Sequence, residues 1–178
     1  MKILKYKKLP AGYKPLKEEY YEVAAALINF IETSSFQVIH IGSTSAKIDG
    51  KGIIDLSILY QEGELEQAVS HLLSLGFQRQ IGDNPFPENR PRMDGGIVYK
   101  GQEYMVHIHV IEYGCEEHQK QLRFKAFMLS SPKARKDYEE SKLKIISEGI
   151  LDQEKYGKLK SPFVKSILVE VTASKDRS

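Results

Sequence analysis

The chain is short of several things, and each shortage removes a class of protein. One cysteine, Cys115, among 178 residues excludes an internal disulfide framework and a zinc site built mainly of thiolates. Neither sign of charge prevails: 26 Lys and Arg stand against 24 Asp and Glu, a net +2. General nucleic-acid binding is therefore not expected, and any phosphate contact must come from a local cluster. The strongest charge-free apolar stretch, Val23 to Ile31, falls far short of the roughly 20 residues of a bilayer span. The segment Met1-Lys2-Ile3-Leu4-Lys5-Tyr6 lacks the apolar run and cleavage site of a secretory signal. A cytoplasmic protein with no membrane partner is the expectation. With 41% hydrophobic and 28% charged residues there is enough apolar side chain for one core, so residues 1–178 are expected to form a single domain.

What is present reads as α+β, a mixed β-sheet flanked by helices with a helical C-terminal third. Leu16, Tyr20, Val23, Ala24, Leu27, Phe30 and Ile31 recur at helical spacing, predicting a helix from near Pro15. Phe36–Ile41 and Ile53–Tyr60 read as strands, Glu64–Leu75 as a helix stopped by Gly76, and Phe77–Ile81 as a short strand. Residues 82–95, with three prolines and several turn formers, read as a loop. Ile97-Val98-Tyr99 and Tyr104–Ile111 form a hairpin around Lys100-Gly101-Gln102. The pattern is helical from Glu116, with Ser131-Pro132 and Ser161-Pro162 each reading as an N-cap followed by proline at the first helical position. The sheet core spans about 16–112 and the helical part about 116–172. Lys133–Lys144 mixes both charge signs and reads as a solvated face. The tyrosines at 20, 21, 99, 104, 113, 138 and 156 read as packing residues.

The chemistry concentrates between residues 36 and 60. Strand Val38-Ile39-His40-Ile41 runs into Gly42-Ser43-Thr44-Ser45, and the next strand carries Asp55 among isoleucines and leucine. A carboxylate there is costly unless it is paired or faces a cleft. Gly42 lets the backbone approach a ligand closely, and the following N–H groups and hydroxyls can face an oxyanion. Gly42, Ser43 and Thr44 thus make a candidate phosphate cradle opposite a candidate metal ligand, Asp55. His107 and His109 share a strand face by alternation, with Val106, Ile108 and Val110 on the other. Beside Asp55 they could ligate a metal or donate to phosphate, or they could line a solvated sheet face. His40 is as readily a buried, satisfied imidazole as a ligand contact.

Eleven residues separate Ser43 from Asp55, a spacing inside the Gly-Ser…Asp pattern of the nucleotidyltransferase superfamily. The block His40-Ile41-Gly42-Ser43-Thr44-Ser45 followed by Lys51-Gly52-Ile53-Ile54-Asp55-Leu56 resembles the H-I-G-S-T-(A/S)…K-P-I-I-D-I block of the GrpB family, a branch of that superfamily. His107-Ile108-His109-Val110 resembles its H-L-H-V strand, and Leu122–Met128 its L-x-F-R-D-Y-L helix. Pro132, Tyr138 and Lys142 resemble the P-E-x-x-x-x-Y-x-x-L-K stretch that follows. The likeness runs from about residue 36 to residue 165.

The resemblance implies a nucleotidyltransferase-like fold that binds a nucleotide or another phosphorylated small molecule. It also implies transfer of a nucleotidyl group from an NTP to a small acceptor, assisted by Mg²⁺ or Mn²⁺, with Zn²⁺ as the further choice. Asp55, His107 and His109 are the catalytic and metal-ligating candidates. Gly42, Ser43, Thr44, Lys51, Arg90, Arg92 and Lys125 are the candidates for the phosphates. Active nucleotidyltransferases carry a second acid two residues after the first, where this chain has Ser57, a departure the family shares. Lys125 stands in place of the family's arginine, Ala126 of its aspartate and Gln121 of its histidine. Two alternatives follow: a binding or interaction module without transfer chemistry, and a metal-dependent hydrolase using Asp55, His107 and His109.

Overall fold

Strand β2 (Ile53–Tyr60) is central because its two faces differ in chemistry. Ile54, Leu56 and Ile58 point one way and are fully buried, while Asp55 and Ser57 point the other. The sheet has the order β1 (Gln37–Ile41), β2, β5 (Gln102–Glu112), β4 (Arg92–Tyr99), β3 (Gln78–Arg79). Strands β2 and β5 are parallel and the other pairs antiparallel. The computed structural model describes residues 1–81 and 85–175, with side chains through residue 169.

Helices α1 (Glu19–Ile31) and α3 (Leu65–Ser74) cover the apolar face. Val23, Leu27, Val69 and Leu72 meet Leu56, Ile58, Val106 and Ile108 in the main core. Burying each such side chain contributes about 1.5–3 kcal/mol before entropy is counted. The opposite face receives the one-turn helix α2 (Gly42–Ser45) and the helices α4 (Glu116–Ser130), α5 (Pro132–Ser147) and α6 (Gln153–Lys175). A second cluster joins them, with Ile48, Met128, Tyr138 and Ile167 buried together. The α+β class and the helical C-terminal third stand as the sequence implies.

Several boundaries move for physical reasons. Helix α1 starts at Glu19, not Pro15, because residues 14–16 are tied to the 49–50 loop: Lys14 bridges Gly50, and the Leu16 N–H donates to Asp49 Oδ1 at 2.8 Å. The loop expected over 82–95 gives way at Arg92 to strand β4; residues 82–84 lie outside the described residues. Gly95 and Gly96 are strand residues chosen for close packing. A Cβ on them would lie 2.7 Å from Phe77 Cδ1 and from Met105 Cε respectively. Ser131 does cap α5, its side chain accepting from the Ala134 N–H. Ser161-Pro162 starts nothing: α6 already begins at Gln153, where Asp152 Oδ1 accepts from the Lys155 N–H, and Pro162 lies inside the helix.

Candidate functional site

Pairing register builds the site. Ile41, Asp55, His107, Asp94 and Gln78 form one rung across all five strands. Ile39, Ser57, His109 and Arg92 form a neighbouring rung on the same face. Asp55 Oδ1 lies 3.2 Å from His107 Nδ1, and His107 Nε2 lies 2.9 Å from the Tyr6 hydroxyl. Burial pushes the Asp55 carboxyl up, but the His107 hydrogen bond and the positive charge of His107, His109 and Lys160 outweigh it and hold the group at about 2. Burial, reinforced by His107, Arg92 and Arg90, draws His109 down to about 4 against the pull of Asp55. Asp94 is fully buried and held by Arg92 through two bonds of 2.7 and 2.9 Å.

Gly42 sits where β1 ends, at φ +73°, and Asp55 packs directly on it. A Cβ at Gly42 would lie 2.6 Å from Asp55 Oδ2 and 2.8 Å from Asp55 Cβ. The close approach this glycine permits is therefore that of Asp55. Thr44 Oγ1 lies 2.9 Å from His40 Nε2, and Ser45 Oγ donates to the Gly42 carbonyl. Two hydroxyls of the turn thus fix its shape, while Ser43 and Thr44 line the cleft.

That cleft, of about 670 Å³, lies between the polar sheet face and helices α5 and α6. Six Lys and Arg side chains line it (Lys8, Lys51, Arg92, Lys142, Lys158, Lys160) against three acids, Asp55, Glu117 and Glu154. Lys51 and Lys160 stand over the Tyr156 ring at 5.3 and 5.9 Å, and Lys142 over Tyr138 at 4.6 Å. Lys142 is 1% exposed, with its ammonium donating to the Asp49 carbonyl. Burial and the charge of Lys160 draw Lys142 down to about 7 and Lys51 to about 8. Lys160 itself is raised by Tyr138. The charges crowd one another, which is the condition an anion relieves.

A family model described as GrpB protein matches residues 12–170. The chain belongs to the GrpB family. A curated relative, UPF0157 protein BH1888 of Halalkalibacterium halodurans, is 26% identical over 165 residues, 91% of this chain and 81% of its own. Among solved structures, a cytoplasmic RNA terminal U-transferase aligns with 70% of this chain at 11% identity and TM-score 0.48. The Cid1 poly(U) polymerase aligns with 71% at 14% identity and TM-score 0.48. This GrpB chain spans only 38% and 39% of those two proteins' lengths.

Of the residues singled out in the GrpB sequence, Ser43, Thr44, Lys51, Asp55, Arg92, His107 and His109 line one cleft. Two do not. Lys125 donates to the His40 carbonyl at 2.9 Å and lies outside the lining. Arg90 pairs with Glu117 at 3.1 Å beside a separate small pocket. Lys142, expected on a solvated face, is buried in the cleft wall, although Lys133–Asp137 and Lys136–Glu140 do pair along the exposed side. Tyr6, Asp94 and Lys160 carried no local motif and emerge only from packing.

The donor set fits a resident metal poorly. Both ring nitrogens of His107 are engaged, and Ser57, fully buried, donates to Gln121 Oε1 at 2.8 Å. Among the described residues no group of three His, Cys, Asp or Glu side chains is placed to hold a metal ion. Asp55 and His107 are hydrogen-bonded to each other, and His109 stands on the neighbouring rung of the same sheet face with its ring against Phe86.

Proposed function

We propose that this GrpB protein binds a nucleotide or another phosphorylated small molecule in the cleft between the sheet and helices α5 and α6. One observation carries the reading: Lys51, Lys142 and Lys160 line the same cleft, where burial and then the charge of Lys160 depress the other two. A phosphate chain laid among them relieves that repulsion and gains charge-assisted hydrogen bonds. The family's place in the nucleotidyltransferase superfamily supports a nucleoside phosphate as the ligand class. Transfer of a nucleotidyl group to a small acceptor is the fuller form of this reading. A second reading, binding without transfer, is favoured by Ser57, whose hydroxyl is committed to Gln121 where a second carboxylate would be needed.

Calorimetric titration with AMP, ATP and tripolyphosphate, each with and without Mg²⁺, tests it. Affinity is expected to rise with the number of phosphates, and Lys160→Met to weaken tripolyphosphate by about tenfold or more. The Mg²⁺ arms read whether a cation accompanies the phosphates. Phosphate-independent affinity, or an unchanged Kd in Lys160→Met, would place the ligand elsewhere.

A further inference from the structure

We propose that Tyr6 is the nucleophile of this cleft, its hydroxyl attacking a phosphorus of a bound nucleoside triphosphate to form a tyrosyl phosphodiester. The proposal rests on the phosphate-binding reading above. The geometry is a row of three side chains: Tyr6 hydroxyl to His107 Nε2, 2.9 Å, and His107 Nδ1 to Asp55 Oδ1, 3.2 Å. A nucleophile, a base within reach of its proton and a third group orienting the base is the arrangement that activates hydroxyls in covalent catalysis.

The hydrogen-bond directions follow from the carboxylate. Asp55 is ionised at neutral pH and can only accept, so His107 Nδ1 carries the proton it donates. In the neutral imidazole Nε2 is then a lone pair, and the hydroxyl of Tyr6 must donate to it. Asp55 thereby selects the tautomer that can remove the phenolic proton. Tyr6 is held for the task. Its backbone N–H donates to Gln78 Oε1 at 3.3 Å, and Leu4 exchanges two backbone hydrogen bonds with Gly96 on β4. The ring lies beside the imidazole, centroids 5.3 Å apart, and lines the cleft that holds the lysines.

Burial raises the phenol, the Gln153 side chain favours the phenolate, and the net shift is upward. The group therefore rests protonated and is activated only as its proton moves. In the step, the Tyr6 Oη–Pα bond forms and the Pα–O bond to the β-phosphate breaks. Pyrophosphate departs with the bonding pair, and the phenolic proton passes to His107 Nε2. The imidazolium so formed is stabilised by Asp55, and the departing charge faces Lys51, Lys142 and Lys160. Nothing is oxidised or reduced.

The test incubates the full chain with α-labelled ATP, CTP, GTP and UTP, with and without Mg²⁺, followed by intact mass and peptide mapping. The same nucleotides are titrated by calorimetry into every variant. Wild type is expected to gain the mass of one nucleoside monophosphate on Tyr6. Tyr6→Phe should lose the adduct entirely. Asp55→Asn, which is isosteric and reverses the donor pattern at Nδ1, should slow labelling by about 100-fold or more. Binding without an adduct, or an adduct that survives in Tyr6→Phe, overturns the role of Tyr6 and leaves the phosphate cleft standing. Absence of nucleotide and tripolyphosphate binding in every variant overturns the cleft reading itself.

Discussion

A single contact explains why the Gly-Ser turn and the aspartate belong to one motif. Asp55 leans on the α-carbon of Gly42, and the backbone there is left-handed, so two independent constraints exclude a side chain. Gly42→Ala is expected to destabilise the fold by about 1–3 kcal/mol, read as a lowered urea midpoint with unchanged m-value. Combining it with Asp55→Gly separates the two causes: the steric share disappears, and the cost of the left-handed backbone remains. If the double variant is no better than the sum of the singles, the contact contributes nothing. The pair also shows what was legible in the sequence. The spacing from Ser43 to Asp55 was readable because it resembles the Gly-Ser…Asp pattern of a known superfamily, although eleven residues and a one-turn helix lie between. That Gly42 serves Asp55 was not readable, since only the β1–β2 register brings them together.

At the scale of elements, legibility followed the locality of the signal. Strand β2 could be read to the residue because its alternation of Ile54, Leu56 and Ile58 with Asp55 and Ser57 is internal to it. Strand β4 was misread at its start because Asp94, Gly95 and Gly96 look like a turn. In the fold Asp94 is paired with Arg92, and the glycines make room for Phe77 and Met105. Two Ser-Pro signals looked equivalent, yet only Ser131 is a cap; the start of α6 belongs to Asp152, one turn and more before Ser161. The cap carries a prediction. Ser131→Ala removes the acceptor for the Ala134 N–H and should cost about 0.5–2 kcal/mol in chemical denaturation. Tripolyphosphate affinity should not change, because Ser131 is absent from the cleft lining. A weakened affinity would mean that the α4–α5 junction, and not α5 itself, positions Lys142.

At the scale of the whole molecule, the cleft is assembled from parts far apart in sequence: Tyr6, the 43–55 block, Arg92, the β5 histidines, Lys142 and Lys160. A scan for motifs finds the middle of that set and misses both ends, because Tyr6 and Lys160 have no neighbours that mark them. Arg90 and Lys125 illustrate the reverse error, cations in suggestive positions that fold into other contacts. Gathering ammonium groups in the wall of one cleft has a global consequence that pH exposes. Lys142 and Lys51 titrate at about 7 and about 8 in the fold against an ordinary 10.5. From about pH 7 to 10.5 the unfolded chain therefore binds more protons than the native one, and stability of the free protein rises with pH. His40, drawn down to about 4 by burial and Lys125, and His109 act with the same sign lower down, so stability falls as pH drops from 6.5 toward 4. Affinity for phosphate is expected to run the other way in the alkaline window, because the ammonium groups proposed to bind it are losing their protons. Urea midpoints and tripolyphosphate Kd values measured in parallel across pH 7 to 9, at constant ionic strength, should diverge. The protein becomes harder to unfold while its ligand leaves. Lys142→Met should flatten the alkaline rise. Binding near pH 7.5 should take up protons, visible as a calorimetric enthalpy that depends on the buffer's ionisation heat. A Kd independent of pH over that range would mean that the lysines do not hold the phosphate.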